Sequence, residues 1–163
     1  MLEDPFKKYD PQILEVVRNF RLLDDDFMTK VFEDKACLEL MLQIVMDIPT
    51  LKVKSFHIQD TLKNIQGRSV RFDVWAEDDA HTQYNIEVQR ADKGAGTKRA
   101  RYNSAMLDAN ITQPGDDCTD LPKTYVIFIT ENDILGKGQL CYRIERRYRV
   151  ERTGQYEIFD DDA

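Results

Sequence analysis

Cysteine and histidine, the residues that build disulfide frameworks and zinc sites, are scarce in this sequence. Its 163 residues include three cysteines, an odd number, and two histidines, all widely spaced. There is no CxxC pair and no Cys/His cluster with the spacing of zinc ligands. No serine or cysteine nucleophile signature is present either. This scarcity argues against a zinc or disulfide module and predicts reduced thiols in a cytoplasmic protein.

Long apolar runs and an excess of positive charge are also missing. No apolar segment approaches the ~20 residues that a membrane-spanning helix needs, and the N-terminus lacks the apolar segment of a signal peptide. We therefore expect no membrane partner. The formal net charge is −7, which argues against broad nonspecific attraction to nucleic acid because that attraction is largely electrostatic. A local basic surface is still compatible with this charge balance.

The chain shows no internal repeat and no linker that would divide it. A length of 163 residues suits one domain and is enough to bury a substantial core. We therefore predict a single domain over residues 1–163, with N-terminal helices in 11–48, a core in 50–153 and an acidic tail in 159–163.

Apolar periodicity predicts the order of the helices and strands. Residues 35–47 are apolar nearly all round, which indicates a core helix that ends before Pro49. In the helix at 94–111, Tyr102, Met106 and Ala109 are predicted to share one side. The predicted elements before residue 112 are helices at 11–20, around 27–32 and at 35–47, a strand at 51–60, a hairpin at 68–90 and a helix at 94–111.

Two later segments have contrasting strand patterns. Thr124–Thr130 is a continuous apolar run, which predicts a strand buried on both faces with a parallel neighbour. Gln139–Glu151 alternates apolar and polar residues, which predicts an antiparallel strand with one wet face, suited to the edge of a sheet. An alternative function for such an edge is to join copies of the chain into a homo-oligomer.

The hairpin at 68–90 carries most of the chemical information. Its strands alternate apolar and polar residues, and Asp73, Glu87 and Gln89 fall on the odd-numbered face. Keeping both faces intact requires paired residue numbers with an even sum. A turn centred on Ala80 then places Asp73 directly opposite Glu87, with Cβ atoms roughly 4.5–5.5 Å apart.

Two carboxylates at that separation repel each other unless one is protonated or a cation lies between them. Hard divalent cations such as Mg²⁺ prefer oxygen ligands, so the pair is a candidate metal site. The amide oxygen of Gln89, on the same face, could complete it. The plain alternative is a solvated sheet face, in which outward polar residues only provide solubility.

The residues around this pair carry a family resemblance. Asp73 followed by Glu87-Val88-Gln89 resembles the PD-(D/E)xK nuclease signature. The flanking blocks are similar to the bacterial recombination-promoting nuclease / putative transposase branch, in which Gln commonly replaces the signature lysine. The resemblance covers most of residues 20–140, through the blocks Leu23–Met28, Gly67–Asp73, Tyr84–Arg90 and Tyr125–Asp133.

The resemblance implies an α/β fold of the restriction-endonuclease type, with an αβββαβ core and a central mixed sheet flanked by helices. It implies a Mg²⁺-dependent DNA endonuclease of the transposase or recombination-promoting type, for which Mn²⁺ is expected to substitute. Asp73 and Glu87 would hold the metal, and Gln89 would orient water or coordinate through its oxygen. The alternative is a catalytically degenerate module of the same fold that binds nucleic acid or protein without cleavage.

An upstream acid and a basic rim complete the implied site. The family places an acid before the core, and counting back from Phe32 favours Asp25 as a metal ligand over Asp26. Either aspartate could instead cap a helix that follows it. The positive charge of the missing lysine could come from Lys93, Lys98 or Arg99, or these residues could form a solvated helix start. A basic rim for phosphate contact would comprise Arg68, Arg71, Arg90, Lys93, Lys98, Arg99 and Arg101.

Overall fold

The chain combines helices and strands in the order of two helices, three strands, one helix and three further strands. The computed structural model describes residues 10–12, 15, 23–63, 69–89 and 96–161, without the side chains at 25, 26, 60–63, 69 and 70. Of the predicted first helix, only residues 11, 12 and 15 lie in the described part, and they are helical. The elements are α1 (Asp25–Phe32), α2 (Lys35–Met46), β1 (Val53–Lys63), β2 (Ser69–Asp78), β3 (Gln83–Gln89), α3 (Thr97–Ile111), β4 (Thr124–Thr130), β5 (Arg147–Arg149) and β6 (Tyr156–Ile158).

A four-stranded mixed sheet in the order β1-β2-β3-β4 forms the centre of the structure. The neighbours β1/β2 and β2/β3 are antiparallel, and β3/β4 is parallel. A parallel pair needs a long crossover connection, and α3 lies in that connection between β3 and β4. The predicted αβββαβ core with a mixed sheet flanked by helices is confirmed.

The two helices before the sheet pack on one of its faces and build the apolar core. Asp34 caps the start of helix α2, and its carboxylate accepts from the backbone N–H of Ala36. Asp47 caps the end of the helix and adopts a left-handed backbone with φ of 57°. The core cluster joins residues of α1 and α2 to the start of β1 and to even-numbered residues of β2 and β3: Met28, Phe32, Leu38, Leu42, Met46, Leu51, Val53, Val74, Ala76, Tyr84 and Ile86.

Helix α2 is buried on one side only. Leu38, Leu42 and Met46 face the core, whereas Leu40 is 57% exposed and Ile44 is 70% exposed. The predicted core helix therefore contributes one face to the core, not its whole surface. A helix that packs on one layer presents a single stripe to it, so Leu40 and Ile44 face away from the sheet.

Helix α3 packs on the opposite face of the sheet. Its buried residues are Asn103, Met106 and Leu107. Met106 and Leu107 follow Asn103 by three and four residues, which is the spacing of a single helix face. Met106 and Leu107 form a second apolar cluster with Phe72, against which Trp75, Tyr102 and Ile111 pack. The predicted stripe through Ala109 is wrong, because Ala109 is exposed and the stripe is shifted to include Asn103.

The C-terminal third departs most from the predictions. Strand β4 has its parallel neighbour, as predicted, but its residues after Thr124 are only half-buried because β4 is the last strand of the described sheet. The predicted strand over Gln139–Glu151 is wrong. Only Arg147–Arg149 is a strand, and it pairs with β6 in a separate two-stranded sheet.

Asp133 explains why residues 133–142 form a loop instead of a strand. Its carboxylate accepts from the backbone N–H groups of Leu135, Gly136 and Gly138 and from the hydroxyl of Tyr142. These bonds satisfy backbone groups that a sheet would otherwise have to pair. Further on, Arg146 forms an ion pair with Asp161, an acid of the predicted tail.

Candidate active site

The turn between β2 and β3 is held by one aspartate. Asp78 Oδ1 accepts from the backbone N–H of Ala80 at 2.9 Å and of Thr82 at 2.8 Å, and Oδ2 accepts from the Tyr84 hydroxyl at 2.8 Å. Burial, followed by this bond to Asp78, raises the pKa of Tyr84 well above its ordinary value. The Asp78 carboxylate thereby determines where the hairpin turns and so which residues pair.

The register of the hairpin agrees with the prediction from the sequence. Trp75 pairs with Asn85 and Val74 pairs with Ile86, so paired numbers sum to 160. The regular pairing ends there, one residue before Asp73 and Glu87. Asp73 Oδ2 instead accepts from the backbone N–H of Val88 at 2.7 Å. The carboxylate of Asp73 thus lies where β2 and β3 separate, bound to the backbone of the strand that carries Glu87.

Glu87 is fully buried, at 0% exposure, and both of its carboxylate oxygens are hydrogen-bonded. Asn85 Nδ2 donates to Oε1 at 3.1 Å, and Arg99 Nη2 donates to Oε2 at 2.8 Å. Asn103 Nδ2 in turn donates to Asn85 Oδ1 at 3.3 Å. A buried carboxylate needs such partners because an unpaired charge in the interior is very costly. Two residues of α3 therefore determine the position of Glu87.

Arg99, the third residue of α3, connects Glu87 to Gln89. Its Nη1 donates to Gln89 Oε1 at 3.3 Å, while its Nη2 is bound to Glu87. The guanidinium carbon lies 6.0 Å from the centroid of the Phe128 ring on β4, within the range of a cation–π contact. The guanidinium group therefore lies on the odd-numbered face of β3, against two of the three residues of the predicted signature.

Burial raises the pKa of Glu87 above its ordinary value, and the negative charge of Asp73 raises it further. The hydrogen bond from Asn85 and the charge of Arg99 act in the opposite direction. Asp73 is bound to the backbone N–H of Val88, the residue after Glu87, so the two carboxylates are neighbours. This is the carboxylate pair that the sequence predicted, now with a neighbouring arginine that partly neutralises it.

The donor atoms assembled here suit a hard divalent cation. Asp73 and Glu87 offer carboxylate oxygens and Gln89 offers an amide oxygen, and a positively charged group already contacts the oxygens of Glu87 and Gln89. Oxygen donors of this kind are what Mg²⁺ selects. Among the described residues, no group of three or more His, Cys, Asp or Glu is placed to hold a metal. The residues that fit are therefore two acids and one amide.

The upstream aspartates are placed differently from the prediction. Asp25 and Asp26 do not precede a helix but begin α1, and Asp24 is the residue at the N-cap. Their side chains lie outside the described part of the structure, so the metal-ligand role of Asp25, or of Asp26, stays a prediction.

The residues predicted to contact nucleic acid separate into three groups. Arg99 points inward to Glu87. Arg71, Lys98 and Arg101 are exposed, while Arg68, Arg90 and Lys93 lie outside the described residues. The basic rim therefore stays a prediction. Of its members, Lys98 and Arg101 on α3 and Arg71 on β2 are exposed.

Asn85 and Asn103 are site residues that the sequence analysis missed. Both are at most 1% exposed, and together they support Glu87 Oε1. A signal for Asn103 was present, because it follows Arg99 by four residues and precedes Met106 and Leu107 at the spacing of one helix face. A signal for Asn85 was its odd-numbered position on β3, between Gln83 and Glu87. Polar residues in a buried periodic position indicate a hydrogen-bonded network.

The whole arrangement can be compared with known families. Residues 27–162 match the family described as PD-(D/E)XK nuclease family transposase. The chain belongs to this family. Neither a curated protein nor a solved structure shows significant similarity to it.

Membership of the PD-(D/E)XK nuclease family transposases supports a nuclease or transposase-like function with DNA as substrate. Nucleases of the PD-(D/E)XK type generally use divalent metals. In the part of the chain that the structure describes, no helix is both long enough and apolar enough to cross a membrane.

Proposed function

We propose that this protein is a Mg²⁺-dependent DNA endonuclease that hydrolyses phosphodiester bonds, of the transposase or recombination-promoting type. The observation that supports the proposal best is the fully buried carboxylate of Glu87, which has Asp73 as a neighbour because Asp73 Oδ2 accepts from the backbone N–H of Val88, the next residue. A carboxylate with a strongly perturbed environment, close to a second one, is typical of functional sites. Mn²⁺ is expected to substitute for Mg²⁺.

Each residue of the site has a role that follows from its chemistry. Asp73 and Glu87 would hold the cation, and the Gln89 oxygen would join them or orient water. A bound divalent cation activates water and neutralises charge on the scissile phosphate. The water oxygen bonds to phosphorus and gives up a proton to solvent, the phosphorus–oxygen bond to the leaving nucleotide breaks, and the leaving oxygen takes up a proton from solvent.

Glutamine cannot provide the positive charge of the signature lysine, so another residue has to provide it. Arg99 is the described cation that contacts the motif strand, through both Glu87 and Gln89. An arginine can bind phosphate through two parallel hydrogen bonds. We propose that Arg99 contacts the scissile phosphate, and that the exposed Lys98, Arg101 and Arg71 contact neighbouring phosphates.

Nicking of supercoiled plasmid tests the proposal. Wild type should convert the plasmid to open circles with Mg²⁺ or Mn²⁺, and Asp73→Asn and Glu87→Gln should not. Glu77→Gln is a matched control, because Glu77 lies on the same strand as Asp73 but pairs with Lys54 and His81. It should nick like wild type. Circular dichroism checks that each variant is folded.

A binding module of the same fold is the second candidate function. It is favoured by the ion pair between Arg99 and Glu87, which compensates the carboxylate without a metal, and by the net charge of −7. If purified wild type binds DNA but nicks no more than the Asp73 and Glu87 variants, the binding module replaces the nuclease.

A further inference from the structure

Arg99 contacts both Glu87 and Gln89, and this contact affects how a metal ion would bind to the site. Glu87 Oε1 is occupied by Asn85, which is itself held by Asn103. Glu87 Oε2 is the oxygen that accepts from Arg99, at 2.8 Å, and the same guanidinium group holds the Gln89 oxygen. Two of the oxygen atoms that would bind a cation, on Glu87 and Gln89, are therefore atoms that Arg99 already contacts.

We propose that Arg99 is a resident counterion of the metal site, which a divalent cation must displace from Glu87 and Gln89 in order to bind. The inference rests on the proposed function, since it concerns the same site. A cation at Glu87 Oε2 would compete with the guanidinium group for the same lone pairs. It would also repel a second positive charge, and a buried environment screens that repulsion poorly.

The surroundings of Arg99 allow it to leave. Its side chain is 37% exposed, whereas that of Glu87 is 0% exposed, so the arginine can rotate toward solvent while the carboxylate stays in place. The Phe128 ring lies beside the guanidinium group and can hold it after the ion pair has broken. Asn85 and Asn103 continue to support Glu87, because the bonds from Asn103 to Asn85 and from Asn85 to Glu87 do not pass through Arg99.

The displaced arginine would be available for a phosphate group. Metal binding and phosphate binding should then favour each other, because the cation releases Arg99 and the phosphate accepts it. Coupling of this kind is reciprocal at equilibrium. In the metal-free protein Arg99 neutralises the charge of the Glu87 carboxylate. The site is therefore ordered before the cation or the phosphate binds.

Direct measurement of Mn²⁺ binding tests the proposal without relying on cleavage. The free Mn²⁺ signal in electron paramagnetic resonance gives the affinity of each protein in the absence of nucleic acid, at one fixed alkaline pH. Arg99→Gln should bind Mn²⁺ about tenfold more tightly than wild type, the scale of one charge-assisted hydrogen bond. Arg99→Lys should lie between them, because a lysine keeps the charge but cannot bridge two side chains.

Two further variants make the result specific. Arg101→Gln removes the same charge from the same helix at an exposed position, and its Mn²⁺ affinity should stay close to that of wild type. Glu87→Gln should lose most of the binding. Thermal melting of each protein shows whether a variant is folded. If Arg99→Gln does not fold, the comparison of Arg99→Lys with wild type tests the proposal.

The outcomes separate the two proposals. If Mn²⁺ binding depends on Glu87 but is equal in wild type and the Arg99 variants, or weaker in the variants, the displacement of Arg99 is overturned and the metal site stands. If Glu87→Gln leaves Mn²⁺ binding unchanged, the metal site itself is wrong and the inference falls with it. Tighter binding in both Arg99→Gln and Arg101→Gln would show a general charge effect and would also overturn it.

Discussion

Strand β3 has two buried faces, and they are built from different chemistry. Tyr84 and Ile86 belong to the apolar core with helices α1 and α2. Asn85 and Glu87 face α3 and are held by hydrogen bonds and an ion pair. All four side chains are at most 1% exposed. Burial alone therefore does not distinguish the face that stabilises the fold from the face that carries the candidate site.

The difference lies in what each face requires of its neighbours. Apolar burial is non-directional and tolerates partners of similar volume. A buried polar network is directional, and each member left without a partner is costly because the interior has a low dielectric constant. The apolar face should therefore respond to substitutions through stability, and the polar face mainly through the geometry of Glu87.

Ile86→Ala should have the largest effect on stability. It removes buried methyl groups from the apolar face and should lower the free energy of unfolding by about 2–5 kcal/mol, as measured by urea denaturation. Ile144→Ala, at an exposed isoleucine, is the control and should change it by less than about 0.5 kcal/mol. Equal effects at the two positions would contradict the assignment of the core.

Asn103→Ala should have an intermediate effect on stability and a clear effect on nicking. It removes the donor to Asn85 Oδ1, which should cost about 1–3 kcal/mol, and it loosens the support of Glu87. Urea denaturation and plasmid nicking measure the two effects. Asn110→Ala is the control on the same helix, since Asn110 is exposed and donates to the Met106 carbonyl of its own helix. If nicking is unchanged in Asn103→Ala, the network does not position Glu87.

Glu87→Gln should stabilise the metal-free protein, and increasingly so as the pH rises. Burial raises the pKa of Glu87 above 4.5 in the folded protein, so the folded state favours the protonated form. The stability that Glu87 contributes is then present below the unfolded pKa and is lost as the pH rises through the folded pKa. Glutamine keeps the shape of the side chain without this loss.

Thermal melting of wild type and Glu87→Gln across pH, with a chelator present, checks the sign. The two proteins should melt alike at pH values well below 4.5, the ordinary pKa of glutamate, and diverge at alkaline pH. A lower melting temperature for Glu87→Gln at alkaline pH would show that the ion pair with Arg99 outweighs the cost of burying the charge.

Gln83→Met should have the smallest effect. Gln83 is buried on the same face of β3, and its Oε1 has no hydrogen-bond partner among the described residues. Replacing an unsatisfied polar group by an apolar one of similar size should be neutral or stabilising by up to about 1 kcal/mol. Urea denaturation measures the free energy of unfolding. A clear loss of stability in Gln83→Met would show that the Gln83 side chain stabilises the fold.

Much of the fold could be predicted from the sequence because strand and hairpin patterns are local. The alternation in β2 and β3, together with a short turn, requires the register that places Asp73 and Glu87 near each other. The strand predicted over Gln139–Glu151 failed because alternation does not show whether a partner strand exists. There the side chain of Asp133 satisfies the backbone groups of a loop.

Sequence patterns alone were enough to predict the order of the elements up to β4, the register of the hairpin and the family to which the chain belongs. They did not show that Arg99 and Asn103 meet this face of β3, or that Asp73 binds the backbone of Val88, which are features of the folded protein. The two sets differ in their separation along the chain. A hairpin pairs residues across a short turn, whereas the face that a helix turns to a sheet depends on how all of its side chains pack.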